Sequence, residues 1–180
     1  DVGLDAETVV RQIPIGTPMV YRESCFSLAG DSVCGKSLDD RSCFTALLRA
    51  AELLKDKDLD VDVYFMGSVR EEVSGTGAIV GTNTVAPDWC IAVDVTFAST
   101  PDISADEVSN KLRGGPVIGM GPNMTWWMTD RMIEKAKALE LPYQFEVMAG
   151  HTGTNGWGMQ TCLEGIPTSV VSLPLRYMHS

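Results

Sequence analysis

The sequence has little positive charge and no long apolar run. Its 180 residues include 14 Lys and Arg against 24 Asp and Glu, which gives a formal net charge of −10. Nucleic acid and anionic membrane surfaces are therefore unfavourable partners. No window approaches the roughly 18 uninterrupted apolar residues of a membrane-spanning helix, so the sequence predicts no membrane span. An acidic chain is compatible with a site that collects cations.

Close cysteine pairs are also absent. The five cysteines are Cys25, Cys34, Cys43, Cys90 and Cys162, and no two of them form a Cys-x-x-Cys motif. An odd number of cysteines in mainly apolar contexts is typical of reduced, buried thiols, and it predicts a cytoplasmic protein. The first residues contain neither a methionine nor a signal-peptide layout, so we expect the chain to begin inside a longer sequence.

The chain does contain the hydrophobic periodicity of a folded domain. Of its residues, 44% are hydrophobic, and the length suits one domain of ordinary size. Alternating or continuous apolar runs predict strands at 61–65, 89–95, 116–120, 143–148 and 168–173, and helical spacing predicts helices at 44–54 and 128–139. Because strands alternate with helices, we predict an α/β fold with a mostly parallel, three-layer α/β/α sheet. Residues 1–34 instead predict short β elements with a tight turn at Gly30-Asp31.

Two adjacent glutamates follow the first predicted strand. Glu71 and Glu72 repel each other, and burial would push at least one of them towards protonation. Neighbouring side chains at the end of a strand point in different directions, so one glutamate could ligate a cation while the other accepts a proton. A solvated turn with two surface glutamates is the alternative, since glutamate is mostly exposed in proteins.

Other polar residues interrupt or follow apolar elements at positions where ligands bind in α/β sheets. With the two glutamates, the candidate site residues are Asp39, Glu71, Glu72, Asp94 and His179. Carboxylates and imidazole suit Zn²⁺, Co²⁺ or Mn²⁺, and one glutamate would remain as general base on a metal-bound water.

Each candidate also has a structural explanation. Asp39 could cap a helix, and His179 could be a surface residue near the chain terminus. Asp94 is harder to explain in this way, because an unpaired carboxylate inside a buried run is unfavourable. The second histidine, His151, fits a mobile loop without a metal role.

Four short segments of the sequence carry these candidate residues. They are Gly-Lys-Ser-Leu-Asp-Asp-Arg at 35–41, Ser-Val-Arg-Glu-Glu-Val through Gly-Ala at 68–78, Val-Asp-Val-Thr at 93–96, and Pro-Leu-Arg-Tyr-Met-His-Ser at 174–180. Together they resemble the M42 family of dinuclear metallo-aminopeptidases. The resemblance implies two divalent metal ions, zinc or cobalt, with Asp39 as the bridging carboxylate. It implies that Glu72 and His179 ligate one ion and Asp94 the other, while Glu71 activates the bridging water.

The resemblance also implies an organisation and a partner. Residues 1–34 resemble the tail of a small β lobe that mediates dimer contacts, and residues 35–180 resemble the C-terminal portion of an exopeptidase catalytic domain. Family members hydrolyse N-terminal residues from peptides, and many assemble from dimers into homo-oligomeric dodecamers. We expect loops near 97–115 and 149–158 to set the side-chain preference.

The sequence departs from the family pattern at two places, and two alternative functions remain open. No histidine precedes Asp39, although the family carries an upstream His-x-Asp ligand element, so we expect this chain to be a C-terminal fragment that is poorly active alone. The family's Gly-Thr-Asp loop here reads Gly153-Thr154-Asn155. A non-enzymatic assembly subunit is one alternative. The other is a glycoside hydrolase, since some relatives are labelled endoglucanases, but that chemistry needs two separated carboxylates.

Overall fold

A computed structural model of the chain describes residues 2–104, 108 and 110–179. The chain divides into two compact units, Asp1–Lys36 and Ser37–Ser180. Among the described residues, no helix combines the length and the apolar composition that crossing a membrane requires.

The first unit contains one helix and one hairpin. Helix α1 spans Ala6–Gln12, and strands β1 (Phe26–Leu28) and β2 (Ser32–Cys34) pair in antiparallel fashion. The predicted turn lies between these strands, where Gly30 and Asp31 adopt φ angles of 69° and 58°. Glycine adopts this left-handed conformation readily and aspartate tolerates it, which explains why this dipeptide forms the turn.

The second unit is a four-stranded sheet with helices. Its elements are α2 (Leu38–Leu54), α3 (Glu71–Ser74), α4 (Thr76–Val85), β3 (Cys90–Phe97), β4 (Val117–Met120), α5 (Trp126–Ala138), β5 (Gln144–Val147), α6 (Gly156–Met159) and β6 (Thr168–Leu175). The strand order is β3-β6-β4-β5. Strands β3 and β6 are parallel, as are β4 and β5, whereas β4 and β6 are antiparallel. The prediction of a mostly parallel sheet is therefore confirmed.

Helices cover both faces of this sheet. On one face, α6 packs so closely that a side-chain carbon at Gly156 would lie 2.9 Å from Val170 and 3.4 Å from Ala92. The main core lies there and comprises Ala78, Cys90, Ala92, Met124, Met148, Met159, Cys162, Ile166 and Val170. On the other face, α5 and the sheet line an open apolar cavity of about 470 Å³, to which Ile91 and Val171 contribute. Successive strand residues alternate between faces, which explains why both faces are apolar and why the strands read as continuous runs.

One predicted strand is not observed. Residues 61–65 form no strand, and Val61, Val63, Tyr64 and Phe65 are exposed. A β-ladder needs a hydrogen-bonded neighbour, and none of the strands in the described part of the chain pairs with this segment. The alternating pattern was present, but alternation does not provide a partner strand.

Candidate metal centre

The beginning of α2 places two adjacent carboxylates beside the sheet. Asp39 and Asp40 have non-helical backbone angles within α2, and the peptide bond between them is cis. The Oδ1 atom of Asp40 accepts a hydrogen bond of 3.2 Å from the Cys43 amide. Asp40 therefore caps the regular part of the helix, which leaves Asp39 available for other contacts.

Asp39 belongs to a group of three side chains from separate elements. The Nε2 atom of His179, which follows β6, lies 2.8 Å from Oδ2 of Asp39 and 3.4 Å from Oε2 of Glu72, the second residue of α3. The potential ligand atoms of the three residues all lie within 4.8 Å of one another. The side chain of His179 is 63% exposed, whereas that of Asp39 is only 14% exposed. Two carboxylates and one imidazole at these distances can surround a single cation.

A second group shares Asp39 with the first. Its other members are Asp40 and Asp94, and the three carboxylates again approach within 4.8 Å of one another. Sequence reasoning named Asp39 and Asp94 but missed Asp40, for which direct adjacency to Asp39 was the available signal. The structure therefore brings all four predicted ligands into two overlapping groups.

Asp94 is the most deeply buried member of these two groups. It lies on β3, is 7% exposed, and its Oδ1 accepts a hydrogen bond of 2.8 Å from the Val95 amide. The pKa of Asp94 is raised to about 7, with burial as the largest cause. The hydrogen bond from Val95 opposes this rise, and the negative charges of Asp40, Glu71 and Asp39 add to it. A bound cation would favour the ionised carboxylate, so this donor set fits a divalent metal ion.

Glu71 occupies the first position of α3, beside Glu72. Consecutive helical residues project about 100° apart, so the two carboxylates leave the helix in different directions. Burial raises the pKa of Glu71 above its ordinary value, the charges of Glu72, Asp39 and Asp40 raise it further, and His179 opposes them. A carboxylate with a raised pKa is suited to accepting and returning a proton near neutral pH.

His151 and the apolar cavity lie outside both groups. The imidazole of His151 stacks on Trp157 with ring centroids 4.4 Å apart, and its Nδ1 accepts a hydrogen bond from the Gly153 amide. No residue of the two carboxylate groups lines the cavity under α5. The cavity is therefore separate from the candidate metal centre.

The sequence profile described as M42 glutamyl aminopeptidase matches residues 1–180. The chain belongs to the M42 family. It is 40% identical over 182 residues to the lysyl aminopeptidase of Pyrococcus furiosus, covering 100% of this chain and 52% of that protein. The resemblance that the four sequence segments indicated is thus confirmed.

Solved structures show the same relationship. An aminopeptidase from the archaeon Desulfurococcus kamchatkensis, APDkam598, superposes with a TM-score of 0.87 at 29% identity, covering 100% of this chain and 52% of that one. The dodecamer PhTET1-12s superposes with a TM-score of 0.75 at 27% identity, covering 100% of this chain and 54% of that one. The predicted α/β fold class is confirmed, and the chain spans about half the length of the relatives it matches.

Proposed function

We propose that this chain carries the metal ligands and the general base of an aminopeptidase that removes N-terminal residues from peptides. The observation that supports this most directly is the convergence of Asp39, Glu72 and His179, which come from three separate elements. Membership of the M42 family supports the same activity.

The proposed cofactors are two divalent cations, zinc or cobalt. Asp39, Glu72 and His179 would hold one ion, and Asp39 and Asp94 would hold the other, with Asp40 beside them. The presence of Asp39 in both groups supports its role as the bridging ligand. A donor set of carboxylate oxygen and imidazole nitrogen suits either metal.

The protein's own part in the reaction is proton transfer by Glu71. Divalent cations supply Lewis acidity, which lowers the pKa of water and polarises the scissile carbonyl. Glu71 accepts a proton from the attacking water and donates it to the amine that leaves. The raised pKa of Glu71 supports this role, because a carboxyl group with an ordinary pKa is a weaker base at neutral pH.

The proposal extends to assembly and location. Residues 1–34 would belong to a small β lobe that mediates dimer contacts, residues 35–180 would be the C-terminal portion of the catalytic domain, and the protein would act as a cytoplasmic homo-oligomer. The likeness to the dodecamer PhTET1-12s supports the oligomer. The five free cysteines suit a reducing compartment.

Neither alternative function is favoured. A glycoside hydrolase needs two carboxyl groups separated across a sugar ring, whereas Glu71 and Glu72 are adjacent on one helical turn. An assembly subunit without catalysis would have no need of a buried carboxylate cluster around Asp94.

The test is a calorimetric titration of the chelator-treated chain with Zn²⁺ or Co²⁺, followed by assays on aminoacyl chromogenic substrates and their N-acetylated counterparts. We expect cation binding that Asp39→Asn removes and that the surface change Asp56→Asn leaves intact. Hydrolysis should require a free amino terminus. Cation binding is the deciding measurement, because the chain spans about half the length of the relatives it matches. A wild-type chain that binds no cation would overturn the proposal.

A further inference from the structure

Asn155 contacts the segment that precedes α3 and lies near the residue that follows it. Its Nδ2 atom donates a hydrogen bond of 2.9 Å to Oγ of Ser68, which precedes the helix. Its Oδ1 atom faces Gly75, which follows the helix, and a side-chain carbon at Gly75 would lie 3.8 Å from that oxygen. A side chain from the 149–158 loop therefore binds the segment that leads into the helix carrying the two adjacent glutamates.

Helix α3 is too short to fix its own direction. It contains four residues and has no side-chain hydrogen bond at its N-cap, Arg70. Arg70 adopts a left-handed φ of 61°, and its carbonyl accepts hydrogen bonds from the Ser74 and Gly75 amides. Isolated helices of a single turn are unstable in water, so the orientation of α3 depends on how its entry segment is held.

Contacts from α4 and from the 149–158 loop hold this entry segment. A side-chain carbon at Gly77 would lie 2.1 Å from the Val69 carbonyl oxygen, so the backbone of α4 packs directly against Val69. This close approach blocks movement in one direction only. The bond from Asn155 to Ser68 supplies a directional restraint from a distant part of the chain.

The surroundings of Asn155 indicate that the role of its side-chain amide is the hydrogen bond to Ser68. Its Oδ1 atom is buried and has no hydrogen-bond partner among the described residues. A buried, unpaired amide oxygen destabilises the fold, so an apolar side chain would be more favourable at this position if packing were the only requirement. The bond to Ser68 is what an apolar side chain could not provide.

We propose that Asn155 is a positioning residue of the metal centre, whose hydrogen bond to Ser68 sets the direction in which α3 presents Glu71 and Glu72. The roles of the two glutamates rest on the proposed function; the restraint on α3 does not. Because a serine hydroxyl can donate as well as accept, aspartate at position 155 can keep the bond, whereas leucine cannot.

The experiment compares Asn155→Leu, Ser68→Ala, their double variant and Asn155→Asp in the full chain. Each single removal should lower Zn²⁺ affinity about tenfold, the usual scale for lost outer contacts of a metal site. It should also speed hydrogen exchange at the Ser74 and Gly75 amides, which report on α3. The double variant should be no worse than either single change, since both remove one interaction. Asn155→Asp should restore the wild-type values.

Asn123→Ala is the matched control. The Nδ2 atom of Asn123 donates a bond of 2.7 Å to the Gly150 carbonyl, so its loss removes a comparable contact to the same loop without touching Ser68 or Gly75. We expect this variant to change neither Zn²⁺ affinity nor exchange of the α3 amides. Wild-type exchange and affinity in both Asn155→Leu and Ser68→Ala, or an equal effect of Asn123→Ala, would overturn the inference. Hydrogen exchange can be measured without a cation. If the chain bound no Zn²⁺, the proposed function would be refuted, but the exchange rates of the α3 amides would still test whether Asn155 restrains α3.

Discussion

The thiol of Cys43 donates a hydrogen bond of 2.9 Å to the backbone carbonyl of Asp94. Cys43 is fully buried on α2, and burial raises the pKa of its thiol well above the ordinary value, so the thiol stays protonated and remains a donor. This contact joins α2 to β3 directly behind the carboxylates. It therefore helps to hold Asp39 and Asp40 beside Asp94.

Replacing Cys43 should destabilise the fold. Cys43→Ala removes the thiol donor and opens a small cavity, so we expect the free energy of unfolding to fall by about 1–3 kcal/mol. Cys43→Ser keeps a donor and should lose less. Urea unfolding measures the difference, with the exposed Cys34→Ala as control. Equal stability of wild type and Cys43→Ala would show that the contact contributes nothing.

Glu71→Gln should separate cation binding from catalysis. Glutamine has the shape of glutamate but cannot accept the proton, so we expect turnover of the zinc-loaded chain to fall by about 10²- to 10⁴-fold. Calorimetric Zn²⁺ affinity should change little. The control is Glu134→Gln, which alters an exposed ion pair with Arg131. If Glu71→Gln kept most of the turnover, the general base would have to be another residue.

His179→Ala should weaken one cation position. Mutating a residue that only hydrogen-bonds to a metal ligand lowers metal affinity by roughly 10- to 100-fold. Because His179 is proposed as a direct ligand, we expect its loss to lower Zn²⁺ affinity by more than about 100-fold. His151→Ala is the matched control, because His151 stacks on Trp157 and belongs to neither carboxylate group. Titration with Zn²⁺ monitored by calorimetry measures both. The same affinity in the two variants would argue against His179 as a ligand.

Asp94 should make the metal-free chain less stable as pH rises. Its pKa is raised from 3.8 to about 7 in the folded state, so below pH 3.8 it is protonated whether the chain is folded or not. Between these values the unfolded chain has released the proton that the folded chain still holds. The free energy of unfolding should therefore fall with pH in this window, by up to about 1.4 kcal/mol per pH unit from this group.

The variant that tests this is Asp94→Asn, which cannot titrate. Urea unfolding with chelator present, at several pH values from 4 to 7, should give a flatter pH dependence than wild type. Glu71 and Asp40 also have raised pKa values, so the informative quantity is the difference between the two proteins. Parallel curves would mean that Asp94 titrates normally in the folded state.

The sequence predicted best where the pattern is local and strong. The helix at 128–139 and the apolar run at 89–95 correspond to α5 and β3, because their periodicity and length are properties of a single segment. Asp94 stood out for the same reason, as a charge inside a buried run. The segment at 61–65 failed, because strand formation needs a neighbour that its own residues cannot specify.

The sequence predicted which residues form the candidate site better than it predicted how they are placed in space. The family segments named Asp39 and His179, but their 2.8 Å contact depends on how α2 and the end of β6 pack, which no local pattern encodes. Asp40 was missed as a candidate ligand although it directly follows Asp39, and its role as a cap of α2 became visible only in the structure. The restraint from Asn155 to Ser68 was beyond sequence reasoning, since it joins two loops distant in the chain.

Asp39 is the one carboxylate common to both groups of potential ligands. Under the proposed function its two oxygens would serve neighbouring ions, so occupancy of one position would alter the charge available to the other, and the two sites should not load independently. We therefore expect a substitution at Asp39 to weaken binding at both positions, whereas a substitution at His179 or Asp94 should weaken binding at one position only.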